Sequence, residues 1–268
     1  MMSRVSNLVR RHPIIAFFVL SYALAWMLVP FGSFGAYGPL VAALIVVPIT
    51  QGVAGLKELG LRIIRWRVRW YWYALALGVP LAVHLAVVGL NVASGAGVPV
   101  LTFSSLTTFL MVFAIRLVNP TDGPLGENPG WQGFALPGLQ GSGYSPLIAT
   151  MIVAPLVSLW HLPLFFWEPG GLQASVLVSG LVTTVAATFF YNWLFNRTGG
   201  SVLLVILAHD LEGSIQYEIG WIVMGVWLAV AIGLVVFDMK AWRDPAPAQA
   251  TTVPPTTPPR EATPASST

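Results

Sequence analysis

A glutamate and two histidines, Glu127, His161 and His209, lie in or beside strongly apolar segments of a 268-residue chain that is only 9% charged. A carboxylate or imidazole at membrane depth is costly, so it faces a protein interior or a water cavity and marks a site of chemistry or transport. The chemistry open to this set is proton transfer. A carboxylate takes a proton from water, while imidazoles orient the base, share the proton or polarise a carbonyl. A Glu and two His could equally hold Zn²⁺ with an open water position, but no H-E-x-x-H spacing is present, and the metal-free reading assigns no cofactor.

Each residue has a distinct local setting. Glu127 sits in GPLGENPGWQGFALPGLQ, residues 123–140, where proline and glycine are expected to break the chain after a fourth apolar run and bring Glu127 to the membrane edge. Beside Trp131 and Phe134 the carboxyl group would suit proton transfer; in a cytoplasmic loop it would be a solvated charge. Both readings stand at this stage. His161 is the single imidazole of LVSLWHLPLFFW, residues 156–167, in which Pro163 frees the carbonyl of Leu159. A lone His in a soluble protein is most simply a satisfied core residue, whereas inside a span its burial cost points to function.

His209 belongs to SVLLVILAHDLEGSIQYE, residues 201–218, where an uncharged stretch precedes a dense polar run. His209, Glu212, Gly213 and Gln216 fall at i, i+3, i+4 and i+7, one stripe that suggests a polar wall facing a cavity, with Asp210 and Tyr217 on a neighbouring face. The plainer reading is the outer end of a short span emerging into water, yet His209 lies about 12 Å in from Ser201 at helical rise. His161 lies about 22 Å along its helix from Pro146, so the imidazoles share a depth only if that helix protrudes or tilts. Arg116, near the cytoplasmic end of the fourth run, is expected to snorkel to headgroups, and Asp122 to cap a loop. His84 and Gln51 are read as helix-to-helix hydrogen-bonding groups.

The elements that must position these residues follow from hydropathy. Hydrophobic residues make up 56% of the chain, and mean hydropathy is +0.76, more apolar sequence than a soluble core of this length uses. The runs approach the roughly 20 residues a helix needs to cross hydrocarbon, and none alternates with the two-residue period of a barrel. The fold class is therefore all-α, a polytopic membrane bundle of about eight transmembrane helices, at roughly 13–31, 36–54, 71–92, 103–119, 146–167, 172–195, 201–217 and 220–237. Arg4, Arg10 and Arg11 precede the first run. Lys57, Arg62, Arg65, Arg67 and Arg69 fill the second connection, Arg197 the sixth, and Lys240 and Arg243 follow the last. The connections at 94–101, 168–171 and 218–219 hold no Lys or Arg, which puts both termini on the cytoplasmic side of a cell membrane.

A pI near 9.4 does not argue for nucleic acid, because the cations flank apolar runs where anionic lipid headgroups and topology account for them. There is no cysteine, which removes disulfides, thiolate metal sites and a cysteine nucleophile. Residues 1–12 read as a cytoplasmic segment that is retained and not a cleaved signal, 13–238 as the transmembrane domain, and 239–268 as a Pro/Thr/Ala-rich disordered tail. The stretch 57–72 mixes cations with Ile63, Ile64, Trp66, Val68 and Trp70, as an element in the inner headgroup layer would.

In this order and context, the three segments resemble the CAAX prenyl protease and bacteriocin-processing family of intramembrane endopeptidases, over roughly residues 13–238. The family's first motif, E-E-x-x-x-R followed by G-F/Y-x-L-P, is matched by Glu127 with Gly133, Phe134, Leu136 and Pro137. The second, F-x-x-x-H in a W-H-L-P-L-F-like run, corresponds to Val157 through His161 with Trp160, Leu162, Pro163, Leu164 and Phe165. The third, H-x-x-x-N or H-x-x-x-D after an S-V-L-L-x-I-L-like helix, begins at His209. Four positions depart: Asn128 for the second Glu, Gln132 for the Arg, Val157 for the Phe and Gly213 for the Asn or Asp.

The resemblance implies a water activated by Glu127 and His161, with His209 stabilising the oxyanion. Asn128, Gln132, Gly213 and Glu212 become supporting or substituted positions. Losing one oxyanion donor costs about 100- to 1000-fold, so Gly213 predicts a slow enzyme unless Glu212, Asp210 or water substitutes. Asn128 and Gln132 can hydrogen-bond where an ion pair stood. The expected function is hydrolysis of a peptide bond in a membrane-embedded or lipid-anchored, including prenylated, peptide or protein. The alternative is a non-catalytic relative that binds a peptide as an immunity or scaffold protein; a transporter or proton pathway is a third reading, which the motif order disfavours.

Overall fold

The computed structural model describes residues 2–98, 105–167, 172–215 and 220–244. Gln216 and Tyr217, the connection at 168–171 and the tail beyond 244 lie outside the described residues. Among those described there is no strand. The helices are α1 (Met2–Arg11), α2 (Pro13–Trp26), α3 (Gly38–Ile63), α4 (Trp70–Ala93), α5 (Leu106–Val118), α6 (Pro124–Gly130), α7 (Leu136–Gly141), α8 (Pro146–Trp160), α9 (Ala174–Arg197), α10 (Val202–Ser214), α11 (Gly220–Phe237) and α12 (Met239–Arg243). Local chemistry starts several of them. Proline occupies the first turn of α2, α3, α6, α7 and α8, where its missing N–H costs nothing. The hydroxyls of Ser105, Ser145 and Ser201 accept the amides of Thr108, Ile148 and Leu204 as N-caps of α5, α8 and α10.

Among the described residues, six segments are long and apolar enough to cross a membrane: Pro13–Phe31, Gly38–Ile63, Trp70–Ala93, Pro146–Trp167, Ala174–Arg197 and Gly220–Phe237. The protein is a polytopic helical membrane bundle. One end is basic. There Ser201 Oγ donates to the Arg65 carbonyl at 2.7 Å and Arg65 Nη1 to the Gly199 carbonyl at 2.8 Å. At the same end Arg197 Nε pairs with Asp238 at 3.3 Å, Trp193 Nε1 donates to that carboxylate at 2.8 Å, and Gln140 Nε2 donates to Asn196 at 3.2 Å. α12 closes this end, with the buried Trp242 ring against Phe189.

The structure corrects the expected fourth span and the loop after it. α5 is only thirteen residues long, with none buried. Its first turn and its middle border the same apolar groove as Leu211 and Ile215, while Arg116 near its end meets Asp210, so the whole helix stays beside the last turns of α10. Residues 124–141 instead run through the interior of the bundle as a helical rod of α6, a π-helical turn at Trp131–Ala135, and α7. Eighteen residues span about 27 Å. The rod starts beside the Ala36 carbonyl and ends where Gln140 meets Asn196 at the basic end. Of residues 123–140, only Leu125 is not buried. A rod shielded by protein needs little hydropathy of its own. It needs slimness: a Cβ at Gly130 would stand 2.5 Å from the Pro39 carbonyl oxygen, so α3 and the rod touch backbone to backbone.

The π turn has a chemical cause close by. Pro137 has no N–H for the Gly133 carbonyl, and Arg62 Nη1 takes that carbonyl at 2.7 Å. The stretch 57–72 is thus only partly interfacial: Trp66 and Trp70 are exposed, but α3 runs on to Ile63 and carries Arg62 into the interior. Within α3 the helix bends at Gly52, whose φ of 67° is left-handed backbone suited to glycine. Arg116 is also corrected. It does not reach the basic-end headgroups but pairs with Asp210 and Asp122, so Asp122 is an ion-pair partner and not merely a loop cap.

Candidate active site

Three elements bring Glu127, His161 and His209 to one cavity of about 150 Å³. The rod supplies Glu127, Asn128, Trp131 and Gln132; the end of α8 supplies Val157 and His161; α10 supplies His209, Glu212 and Gly213; α9 closes the fourth wall with Thr183, Thr184, Thr188 and Tyr191. α8 thus reaches far enough for its terminal imidazole to meet the same cavity as His209. Trp160, fully buried, fixes that end of α8 by stacking edge-on against Trp131 and Phe34 and donating Nε1 to the Ser21 carbonyl at 3.2 Å.

His161 Nε2 lies 3.6 Å from Glu127 Oε2, beyond direct hydrogen-bond length but within reach of a shared water. The other ring nitrogen settles the tautomer. His161 Nδ1 is 2.8 Å from the Val157 carbonyl, which can only accept, so Nδ1 carries a proton. Nε2 is therefore either bare or part of an imidazolium, and the Glu127–His161 pair can hold and pass one proton. Glu127 itself is buried.

His209 is held differently. Its Nδ1 lies 3.1 Å from Asn128 Oδ1 and its ring stacks on Tyr191 at 5.0 Å between centroids. Asn128 Nδ2 donates to Gln132 Oε1 at 2.9 Å, Gln132 Nε2 to Asn192 Oδ1 at 2.9 Å, and Asn192 Nδ2 to Thr150 Oγ1 at 3.2 Å. The amide pair expected from the sequence is thus formed, as the first link of a buried neutral relay through the rod, α9 and α8. In this direction Asn128 accepts, so His209 Nδ1 donates and a neutral His209 presents a lone pair at Nε2.

A second carboxylate, half-buried, faces the cavity. Glu212 Oε1 accepts from Trp227 Nε1 at 2.8 Å, and Oε2 lies 3.2 Å from His84 Nε2. His84 is thus a helix-to-helix partner of the polar wall. Of the stripe on α10, His209, Glu212 and Gly213 line the cavity, and Asp210 turns to the neighbouring face, where Arg116 Nε meets it at 3.2 Å. No group of three His, Asp or Glu among the described residues is close enough to hold a metal ion. Glu127 and His161 alone do not make a three-ligand zinc site.

Sequence reasoning missed Thr150, Asn192, Thr184, Thr188 and Arg116. A signal existed for α9: Thr184, Thr188, Asn192 and Asn196 recur every four residues, a polar stripe inside an apolar helix. None existed for Thr150, whose role depends on a helix remote in sequence.

Residues 105–211 match the family model described as Type II CAAX prenyl endopeptidase Rce1-like. Among curated proteins, the CAAX prenyl protease 2 of Methanococcus maripaludis is 28% identical over 158 residues, covering 52% of this chain and 54% of that protein. The chain spans about half the length of the curated relative it matches. The family match falls on the stretch that holds Glu127, His161 and His209, so this part of the chain is similar to the CAAX prenyl endopeptidases.

Proposed function

We propose that this protein hydrolyses a peptide bond of a membrane-embedded or lipid-anchored peptide or protein, without a metal, using water activated by Glu127. The observation that carries the reading is the convergence of a buried carboxylate and two imidazoles on one cavity. Water bound between Glu127 and His161 gives a proton to Glu127 as its oxygen adds to the scissile carbonyl carbon. His161, with Nδ1 anchored on Val157, keeps Nε2 facing the base and shares that proton. His209 polarises the carbonyl oxygen when its ring is the imidazolium, Nδ1 still donating to Asn128 and Nε2–H turned to the oxygen. When the C–N bond breaks, the proton held by Glu127 passes to the amine nitrogen, so one water is consumed and the base is restored.

A second reading draws on the relay of Asn128, Gln132, Asn192 and Thr150, which is neutral throughout. A polar pocket of that kind also suits a relative that binds a peptide without cutting it. Wild-type protein in liposomes with a quenched-fluorescent transmembrane peptide separates the two. Turnover that disappears in Glu127→Ala and survives chelator supports hydrolysis, whereas saturable binding with no product in wild type supports the binding protein.

We further propose that the bundle sits in the cell membrane with its basic end cytoplasmic. Arg65, Arg67, Arg69 and Arg197 would there meet anionic lipid headgroups, at about 1 kcal/mol per cation near the surface.

A further inference from the structure

Resting on the hydrolase reading, we propose that the Arg116 guanidinium is the fixed positive donor of this site, standing where position 213 has no side chain and stabilising the oxyanion formed as water adds. Gly213 lines the cavity, one turn beyond His209 on the same helix. A Cβ built at Gly213 would lie 2.7 Å from Arg116 Nη2, and one at Gly123, just before the rod, would lie 2.8 Å from the same atom. The space that a side chain at 213 would enter is therefore already filled by a guanidinium nitrogen. Two glycines, one on each catalytic segment, make room for it.

The other nitrogens of the group are taken. Nε pairs with Asp210 at 3.2 Å and Nη1 with Asp122 at 3.1 Å, while no acceptor takes Nη2 among the described residues. Two carboxylates so placed hold the planar fork and aim its third edge at Gly213. The need for such a donor follows from His209. With Nδ1 donating to Asn128, the neutral ring shows a lone pair at Nε2, so His209 helps an oxyanion only as imidazolium. Arginine stays charged at any working pH. As the water oxygen bonds to the carbonyl carbon and its proton goes to Glu127, the carbonyl π pair moves onto oxygen, and Nη2–H faces that charge. Collapse returns the pair to the carbonyl as the C–N bond breaks and Glu127 gives its proton to the amine.

The test uses full-length protein in liposomes with the quenched transmembrane peptide, and reads kcat, KM and folded fraction for each variant. Arg116→Gln is expected to lower kcat by about 100- to 1000-fold with little change in KM. Adding methylguanidine to Arg116→Ala is expected to restore part of kcat. Gly213→Asn is expected to slow the wild type, because its Cβ meets Nη2, but to speed Arg116→Ala, because a carboxamide can then occupy the vacated space. Removing Arg116 leaves Asp210 buried without its cation, so Arg116→Gln/Asp210→Asn is measured alongside to separate misfolding from chemistry. Unchanged kcat in a folded Arg116→Gln, or no methylguanidine rescue in a folded Arg116→Ala, overturns the assignment while leaving hydrolysis intact. A wild type that cleaves nothing removes the hydrolase reading and this inference together.

Discussion

Asn128→Leu tests the buried relay directly. Asn128 is 1% exposed and makes two side-chain hydrogen bonds, to His209 Nδ1 at 3.1 Å and Gln132 Oε1 at 2.9 Å. Leucine has a similar volume, so packing is nearly conserved and the loss is polar. In a soluble core, each stranded partner would cost about 1–3 kcal/mol. Inside a membrane bundle the unfolded helices also find partners, and single interhelical hydrogen bonds average about 0.6 with a maximum near 1.7 kcal/mol. The membrane figure governs here, so two lost bonds give about 1–3 kcal/mol. At roughly 2–4 °C per kcal/mol for a chain of this size, the unfolding midpoint in detergent should fall by about 2–12 °C. Gln132→Leu removes one of the same two bonds, so Asn128→Leu/Gln132→Leu should cost clearly less than the sum of the single changes. A midpoint for Asn128→Leu equal to wild type, or strict additivity of the pair, would refute the relay as a stabilising connection between the rod, α9 and α10.

Further outcomes follow from other contacts. Gly130→Ala places a methyl group 2.5 Å from the Pro39 backbone oxygen, which cannot rotate away, and should destabilise the bundle by about 1–3 kcal/mol in the same unfolding assay; an unshifted midpoint would contradict the close packing of rod and α3. Because the chain has no cysteine, single cysteines at the exposed Asn7 and Ser94 report sidedness without background. In intact cells an impermeant thiol reagent should label Ser94→Cys and spare Asn7→Cys; the reverse pattern would invert the orientation. Glu127→Ala should abolish peptide cleavage with the protein still folded, and residual turnover near the wild-type rate would remove Glu127 as the base.

Much of the candidate site was legible because its signals are local. A single imidazole within LVSLWHLPLFFW, and a His followed by Glu at i+3 in an apolar helix, stand out against hydrocarbon without any knowledge of neighbours. The six long helices were visible for the same reason: hydropathy summed over twenty residues reports the surroundings of a segment that lipid covers.

Where protein is the covering, that logic fails. The rod at 124–141 is rich in proline and glycine and scores as a breaker, yet it traverses the bundle because α2, α3, α8 and α9 shield it and Gly130 admits the backbone of α3. α5 scores as a span but rests against α10, since thirteen residues with an arginine bound to Asp210 do not need to cross. Asn128 with His209, Gln132 with Asn192, and Arg116 with Asp210 join residues 81, 60 and 94 positions apart. The amino-acid sequence alone determined membrane residence, helical class and the three residues that can move a proton. Only the tertiary structure decided which helix carries the glutamate through the bundle, how each histidine is oriented and which cation backs Gly213, because those depend on contacts between segments whose separation along the chain leaves no periodic trace.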